Sequence, residues 1–143
     1  MNIFRCIFGI IISIIISVIG TSIIEPLLNI ALAIFGGYGR TGWVEMPTGF
    51  GNNLSFFNNE LLPLCIASVI AYSIGGYCCG KIVPAGNKNI ISWICGVTIT
   101  ILNLTICIFV WNGAHWFYSS VFVIAMAISG LFYVSIAREV NNR

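Results

Sequence analysis

The chain has 143 residues, of which 59% are hydrophobic and only 7% are charged. Because charged residues make up about 25% of a typical soluble domain, this composition excludes an ordinary water-soluble protein. The net charge of +2 comes without a cluster of basic residues, so the sequence predicts no nucleic-acid partner. The chain is therefore expected to lie in a lipid bilayer as a single domain.

Four apolar stretches, each long enough to cross a membrane, follow one another along the chain. The first covers about residues 3–24 and is continued by an apolar segment at 26–35. The others cover about residues 61–83, 90–111 and 120–137. All four are continuous rather than alternating in hydrophobicity, which favours lipid-facing helices over the strands of a barrel. The sequence thus predicts an all-α bundle of four transmembrane helices.

Glu25 and Pro26 interrupt the first apolar stretch and leave two placements of the first helix open. If Arg5 lies at one membrane surface, about 20 residues at 1.5 Å each bring Glu25 to the opposite interface. Pro26 then begins a helical extension that ends at Phe35. If the span instead covers about residues 14–35, Glu25 lies in mid-membrane, where an ionisable group indicates a functional site. The first placement is favoured because the second moves Arg5 and several isoleucines into the cytoplasm.

The first stretch also has two features of a cleaved signal peptide. Arg5 precedes an apolar run, and a small-residue segment begins at Gly20. The apolar run continues well beyond that segment, however. A retained helix is therefore the favoured interpretation.

The basic residues predict the orientation of the bundle. Positively charged residues are enriched in the cytoplasmic connections of membrane proteins. Both termini are therefore expected in the cytoplasm, with residues 36–60 and 112–119 outside. One side of the predicted membrane holds five of the six basic residues, namely Arg5, Lys81, Lys88, Arg138 and Arg143.

The outer loop, residues 36–60, has an unusual composition. Six glycines and four asparagines favour an irregular backbone, while five aromatic residues make the loop more hydrophobic than a free linker. We expect it to fold over the outer face of the bundle. A surface that binds a membrane protein partner, or another copy of this chain, is the functional alternative for a long aromatic loop.

Small and polar residues recur on one face of each predicted helix. In lipid, helices associate through such residues because apolar side chains gain nothing by leaving the lipid tails. Close helix packing is therefore their expected role. Alternatively, the polar face of the third helix lines a solute path, with Glu25 and Asn103 as candidate ion- or proton-binding residues. The predicted packing residues are Gly9, Ser13, Ser17, Gly20, Gly75, Gly76, Gly80, Gly96 and Thr100.

Several chemistries lack the residues they need. The six cysteines contain no Cys-x-x-Cys pair, which disfavours a thiol-oxidising enzyme. The predicted topology brings Cys6, Cys78, Cys79 and Cys95 to the inner membrane end, but their spacing matches no zinc site. His115 is the only histidine and the chain has no aspartate. Two-histidine haem ligation within the chain and a hydrolytic triad are therefore excluded. We expect no enzyme, no cofactor and no metal.

The order of these landmarks resembles a set of small four-helix bacterial inner-membrane proteins without known activity. This resemblance implies a bacterial inner membrane and the four-helix topology, and it implies no activity. The matching pieces are Glu25, Leu62-Pro63, GGYCCGKIVP at 75–84, LNL at 102–104 and HWF at 115–117.

Two functions from different classes remain open. The first is a non-enzymatic accessory or structural membrane protein that makes contacts through its outer loop and small-residue faces. The second is a small homo-oligomeric transporter or channel, loosely similar to small multidrug transporters with one membrane glutamate. It would use Glu25 as its ion- or proton-binding carboxylate and the third-helix face between Ser92 and Cys107 as its path.

Overall fold

The computed structural model describes residues 2–36, 61–110 and 116–140, all of them helical or in short connections. The four helices are α1 (Asn2–Gly36), α2 (Leu62–Ile82), α3 (Ala85–Val110) and α4 (Trp116–Glu139). Each contains a segment long and apolar enough to span a membrane, which confirms the predicted all-α bundle of four transmembrane helices. Nearly all of the outer loop, residues 37–60, and His115 lie outside the described residues.

The first helix differs from the expectation that a new element begins at Pro26. α1 is a single helix of 35 residues with Pro26 inside it. Proline has no N–H, so the carbonyl group of Ser22, four residues earlier, loses its donor within the helix. Membrane helices tolerate such an interruption where neighbouring groups satisfy the freed carbonyl. The segment predicted as a separate extension at 26–35 is thus helical, but it continues the first helix to Gly36 without a break.

α2 lies at the centre of the helix contacts and packs most extensively against α1 and α4. Its adjacent glycines face different neighbours, because successive helical residues point about 100° apart. The Cβ position of Gly75 meets the Ser17 hydroxyl and lies 3.0 Å from the Ser13 carbonyl oxygen in α1. That of Gly76 lies 2.5 Å from the carbonyl oxygen of Tyr133 in α4.

The remaining helix, α3, closes the bundle by packing against α4 and, less extensively, against α1. The side chains buried between the helices include both large aromatics and thiols. Six of the larger side chains with at most 1% of their surface exposed belong to α2, α3 and α4: Tyr72, Cys79, Cys95, Ile99, Met126 and Tyr133.

One end of the bundle, called the basal end below, contains the start of α1, the turn from α2 to α3 and the end of α4. The Asn87 amide contacts the Cys6 sulfur at 3.5 Å. The Lys88 ammonium donates a hydrogen bond to the Val140 carbonyl group. These contacts join all three pieces of chain, and the opposite end is called the apical end.

The glycine contacts define how α1 is aligned with α2. Gly9 lies against Val83 and Gly20 against Ala71, so the two helices are antiparallel. Extending this alignment residue by residue places roughly residues 10–30 of α1 beside α2. That segment lies between the two placements considered from the sequence. Glu25 is accordingly about one helical turn inside the apical start of α2.

Candidate functional site

A row of polar residues extends along one face of α1 at a strict spacing of four. It consists of Ser13, Ser17, Thr21, Glu25 and Asn29, and all but the half-buried Glu25 are buried. Residues four apart lie on the same helix face. Sequence reasoning identified Ser13 and Ser17 but missed Thr21 and Asn29, although the exact four-residue repeat was a visible signal.

The apical part of this row joins Glu25 to Asn29. The Asn29 amide nitrogen Nδ2 donates to Glu25 Oε1 at 2.5 Å. Only 3% of the Asn29 surface is exposed, and its Oδ1 accepts no hydrogen bond from any residue that the structure describes. Leaving a buried acceptor without a donor costs about 1–3 kcal/mol. A carboxylate beside a free amide oxygen offers the oxygen ligands that hard cations prefer.

Asn103, the other candidate ion-binding residue, belongs to a hydrogen-bonded group on α2, α3 and α4. Its amide donates to the Tyr72 hydroxyl. That hydroxyl lies 3.3 Å from the Ile99 carbonyl oxygen, to which it donates, and 3.8 Å from the Met126 sulfur. Asn103 thus connects helices through Tyr72, a residue that sequence reasoning had not selected.

A second polar layer lies nearer the basal end and takes one residue from each helix. The Tyr133 hydroxyl of α4 donates to Ser13 Oγ of α1 at 2.7 Å. The thiols of Cys79 in α2 and Cys95 in α3 lie close to each other and to this pair. All four side chains are at most 1% exposed.

The contact between Cys79 and Cys95 was missed because it joins residues on different helices. The topology had placed Cys79 and Cys95 at the same membrane end, together with Cys6 and Cys78, but it could not predict which of these thiols meet. Buried cysteine commonly behaves as a small hydrophobic residue with a weak S–H donor, which suits this position between four helices. Within residues 2–36, 61–110 and 116–140, no group of three or more His, Cys, Asp or Glu side chains is placed to hold a metal ion.

The other predicted packing residues also lie where helices touch. The Cβ position of Gly80 is 2.7 Å from the Ala137 carbonyl oxygen, and that of Gly96 is 2.7 Å from a Val134 methyl group. Thr100 contacts Gly130 and donates to the Gly96 carbonyl at 2.8 Å. These approaches bring backbones together, so the described interior is filled by direct contact between helices.

Comparison with known proteins supplies no relative from which a function can be transferred. The interpretation of this chain therefore depends on the geometry of its bundle. No family model matches it, and comparisons with curated proteins and with solved structures find no match.

Proposed function

We propose that the protein is a non-enzymatic accessory or structural protein of a bacterial inner membrane. It acts through lateral contacts with a membrane protein partner or with further copies of itself. The observation that carries this proposal is the large exposed surface of α1, called the open side of α1 below. The best membrane-spanning window of α1 has a mean hydropathy of 2.7, the highest of the four, yet only 22% of it is buried, against 44% in α2.

The exposed side chains on the open side of α1 recur at a regular spacing. Isoleucines spaced by four residues form an exposed row that lies opposite the polar row of the same helix. β-branched side chains are held in one preferred rotamer in a helix, so packing this row against a partner helix costs little side-chain entropy. The row suits a lateral protein contact. Its members are Ile3, Ile7, Ile11, Ile15, Ile19 and Ile23, each 48–76% exposed.

Site-specific photo-crosslinking in native membranes tests this role. A photoreactive amino acid replaces Ile15 on the open side of α1, and a matched probe replaces Ile94, which is 56% exposed on α3. We expect a protein adduct from the probe at position 15 and a weak adduct or none from the probe at position 94. The adduct contains either a second copy of the chain or one defined partner. Lipid adducts alone at both positions would remove the argument for a lateral protein contact.

The proposal includes an orientation with both termini in the cytoplasm. It is supported by the basal position of Arg5, Lys81, Lys88 and Arg138, because cytoplasmic ends carry the excess of Lys and Arg. Single cysteines at positions 52, 87 and 113 in a cysteine-free background provide the test. A membrane-impermeant maleimide added to intact cells should label positions 52 and 113 but not 87. Labelling of position 87 would reverse the orientation.

A homo-oligomeric transporter or channel is the second candidate, favoured by the buried Asn29 Oδ1 beside the Glu25 carboxylate. Proteoliposomes that contain a pH-sensitive dye and an imposed cation or proton gradient separate the two candidates. The accessory role predicts the same dye response for wild type, Glu25→Gln and protein-free vesicles. A flux that is present in wild type and in the control Ser22→Ala but lost in Glu25→Gln would favour the transporter or channel over the accessory role. Ser22 is an exposed neighbour on the same helix.

A further inference from the structure

The outward-facing contact line between α3 and α4, called the α3–α4 seam, holds a polar pocket at the basal end. The pocket has a volume of about 380 Å³ and is lined by Asn89, Ser135, Arg138 and Glu139. The residues of this pocket are exposed, and Glu139 is the last residue of the α4 span. The pocket therefore lies where the apolar part of the bundle ends, at the depth of lipid headgroups.

An apolar groove of about 280 Å³ continues from this pocket along the same seam. Its lining includes Trp93, Gly96 and Thr100 of α3 and Ala127, Gly130 and Leu131 of α4. Trp93 lies one turn beyond Asn89, and Leu131 one turn before Ser135, so pocket and groove share the same helix faces. The Cβ positions of Gly96 and Gly130 meet the opposite helix, so α3 and α4 touch at the floor of this groove.

We propose that the α3–α4 seam binds one phospholipid with a phosphoethanolamine headgroup, from the leaflet at the basal end. The headgroup occupies the polar pocket, and one acyl chain follows the groove toward the middle of the bundle. The occupant is a lipid of the surrounding bilayer, held by contacts to both its charged and its apolar parts.

Charge complementarity selects the headgroup. The Arg138 guanidinium provides the planar set of donors that suits a phosphate, with the Asn89 amide and the Ser135 hydroxyl able to donate beside it. The Glu139 carboxylate accepts hydrogen bonds from a primary ammonium. A pocket with one cation and one anion therefore matches a zwitterion better than an anionic headgroup. A choline headgroup has no N–H to donate to Glu139.

The dimensions of the groove select an acyl chain. The segment from Trp93 to Ile101 rises about 12 Å along the helix, close to the roughly 15 Å of hydrocarbon in one leaflet. Trp93 lies between groove and pocket, where tryptophan is favoured at the membrane interface. Because an acyl chain gains little by moving from bulk lipid to an apolar groove, the headgroup contacts provide the selectivity.

Native mass spectrometry of protein extracted from vesicles with equal parts of phosphatidylethanolamine, phosphatidylcholine and phosphatidylglycerol tests the site. Wild type should retain one phosphatidylethanolamine in preference to the other two lipids. Arg138→Gln should lower retention of all three lipids by about tenfold, since it removes a charged hydrogen bond to phosphate. Glu139→Gln should leave retention largely intact but abolish the preference for ethanolamine over choline.

Two matched controls separate the site from general effects. Lys81→Gln removes a basal charge outside the pocket, on α2, and should change nothing. Ala127→Leu fills the groove and should lower retention of every lipid, whereas Ile124→Leu, an exposed change on α4 outside the groove, should not. Equal retention of the three lipids by wild type, or unchanged retention in Arg138→Gln and Ala127→Leu, would overturn the proposal. So would a cysteine crosslink at position 127 that joins two copies of the chain regardless of lipid.

Discussion

Replacing Gly76 by alanine should destabilise the bundle, although alanine is the better helix former. The added Cβ would lie 2.5 Å from the Tyr133 carbonyl oxygen and 3.1 Å from the Tyr133 Cα. Ordinary contacts begin at 3.4 Å, so α2 and α4 must separate by about 0.9 Å at this point. Backbone atoms cannot rotate away as a side chain would. One turn further along, Gly80 lies against Ala137 just as closely, which prevents a simple pivot.

A matched glycine on α3 isolates the cost of this contact. No described atom outside the local helix lies within 4 Å of the Cβ position of Gly86. Gly86→Ala should therefore be neutral or stabilising by up to about 1 kcal/mol, the usual helix-propensity gain. Because both variants can gain propensity, the difference between them measures mainly the cost of overpacking, about 1–3 kcal/mol. Gly76→Ala should be the less stable by that amount.

Reversible unfolding in mixed micelles, by titration of a mild detergent with dodecyl sulfate and detection by circular dichroism, measures this difference. The Gly76→Ala curve should shift to lower dodecyl sulfate, and the Gly86→Ala curve should stay with wild type or move higher. Coincident curves for the two variants would show that α2 and α4 do not meet through their backbones at Gly76. The register described above would then be refuted at its central contact.

The same assay tests two hydrogen-bond predictions. Tyr72→Phe should cost about 1–2 kcal/mol because it leaves the buried Asn103 amide without its acceptor. Tyr77→Phe, at an exposed position, should leave stability unchanged. Equal losses of stability in the two variants would contradict the hydrogen bond between Asn103 and Tyr72. Ser17→Ala should be neutral or stabilising, since the Ser17 hydroxyl is buried without a partner among the described residues. Ser13→Ala should lose about 1 kcal/mol with its bond to Tyr133, and a reversed order of the two serine variants would refute this reasoning.

The number and approximate length of the helices were predictable from the amino-acid sequence. In lipid, each spanning segment must satisfy its own backbone hydrogen bonds, so a long continuous apolar run is sufficient to predict a helix. The local pattern also indicated candidate packing residues, because small residues repeated every three or four positions lie on one face. These features depend on residues that are close together in the chain, so they can be read directly from the sequence.

The partners of these residues depend on contacts between distant parts of the chain. Gly75 and Gly76 are adjacent in sequence, yet one meets α1 and the other α4. Cys79 and Cys95 belong to different helices, and only the packing of α2, α3 and α4 brings their thiols together. The sequence repeat could not show which neighbour each face would meet.

The continuation of α1 through Pro26 and the depth of Glu25 were also decided by tertiary structure. A proline and a carboxylate within an apolar run are compatible with a helix end or with a helix interior, so local rules left both placements open. The close approach of Gly9 and Gly20 to α2 selects the alignment between them, because small residues permit backbone contact only where the opposite helix is also close. Sequence by itself determined which segments are helical and apolar, while the packing of the four helices determined the depth at which the polar residues of α1 lie in the bundle.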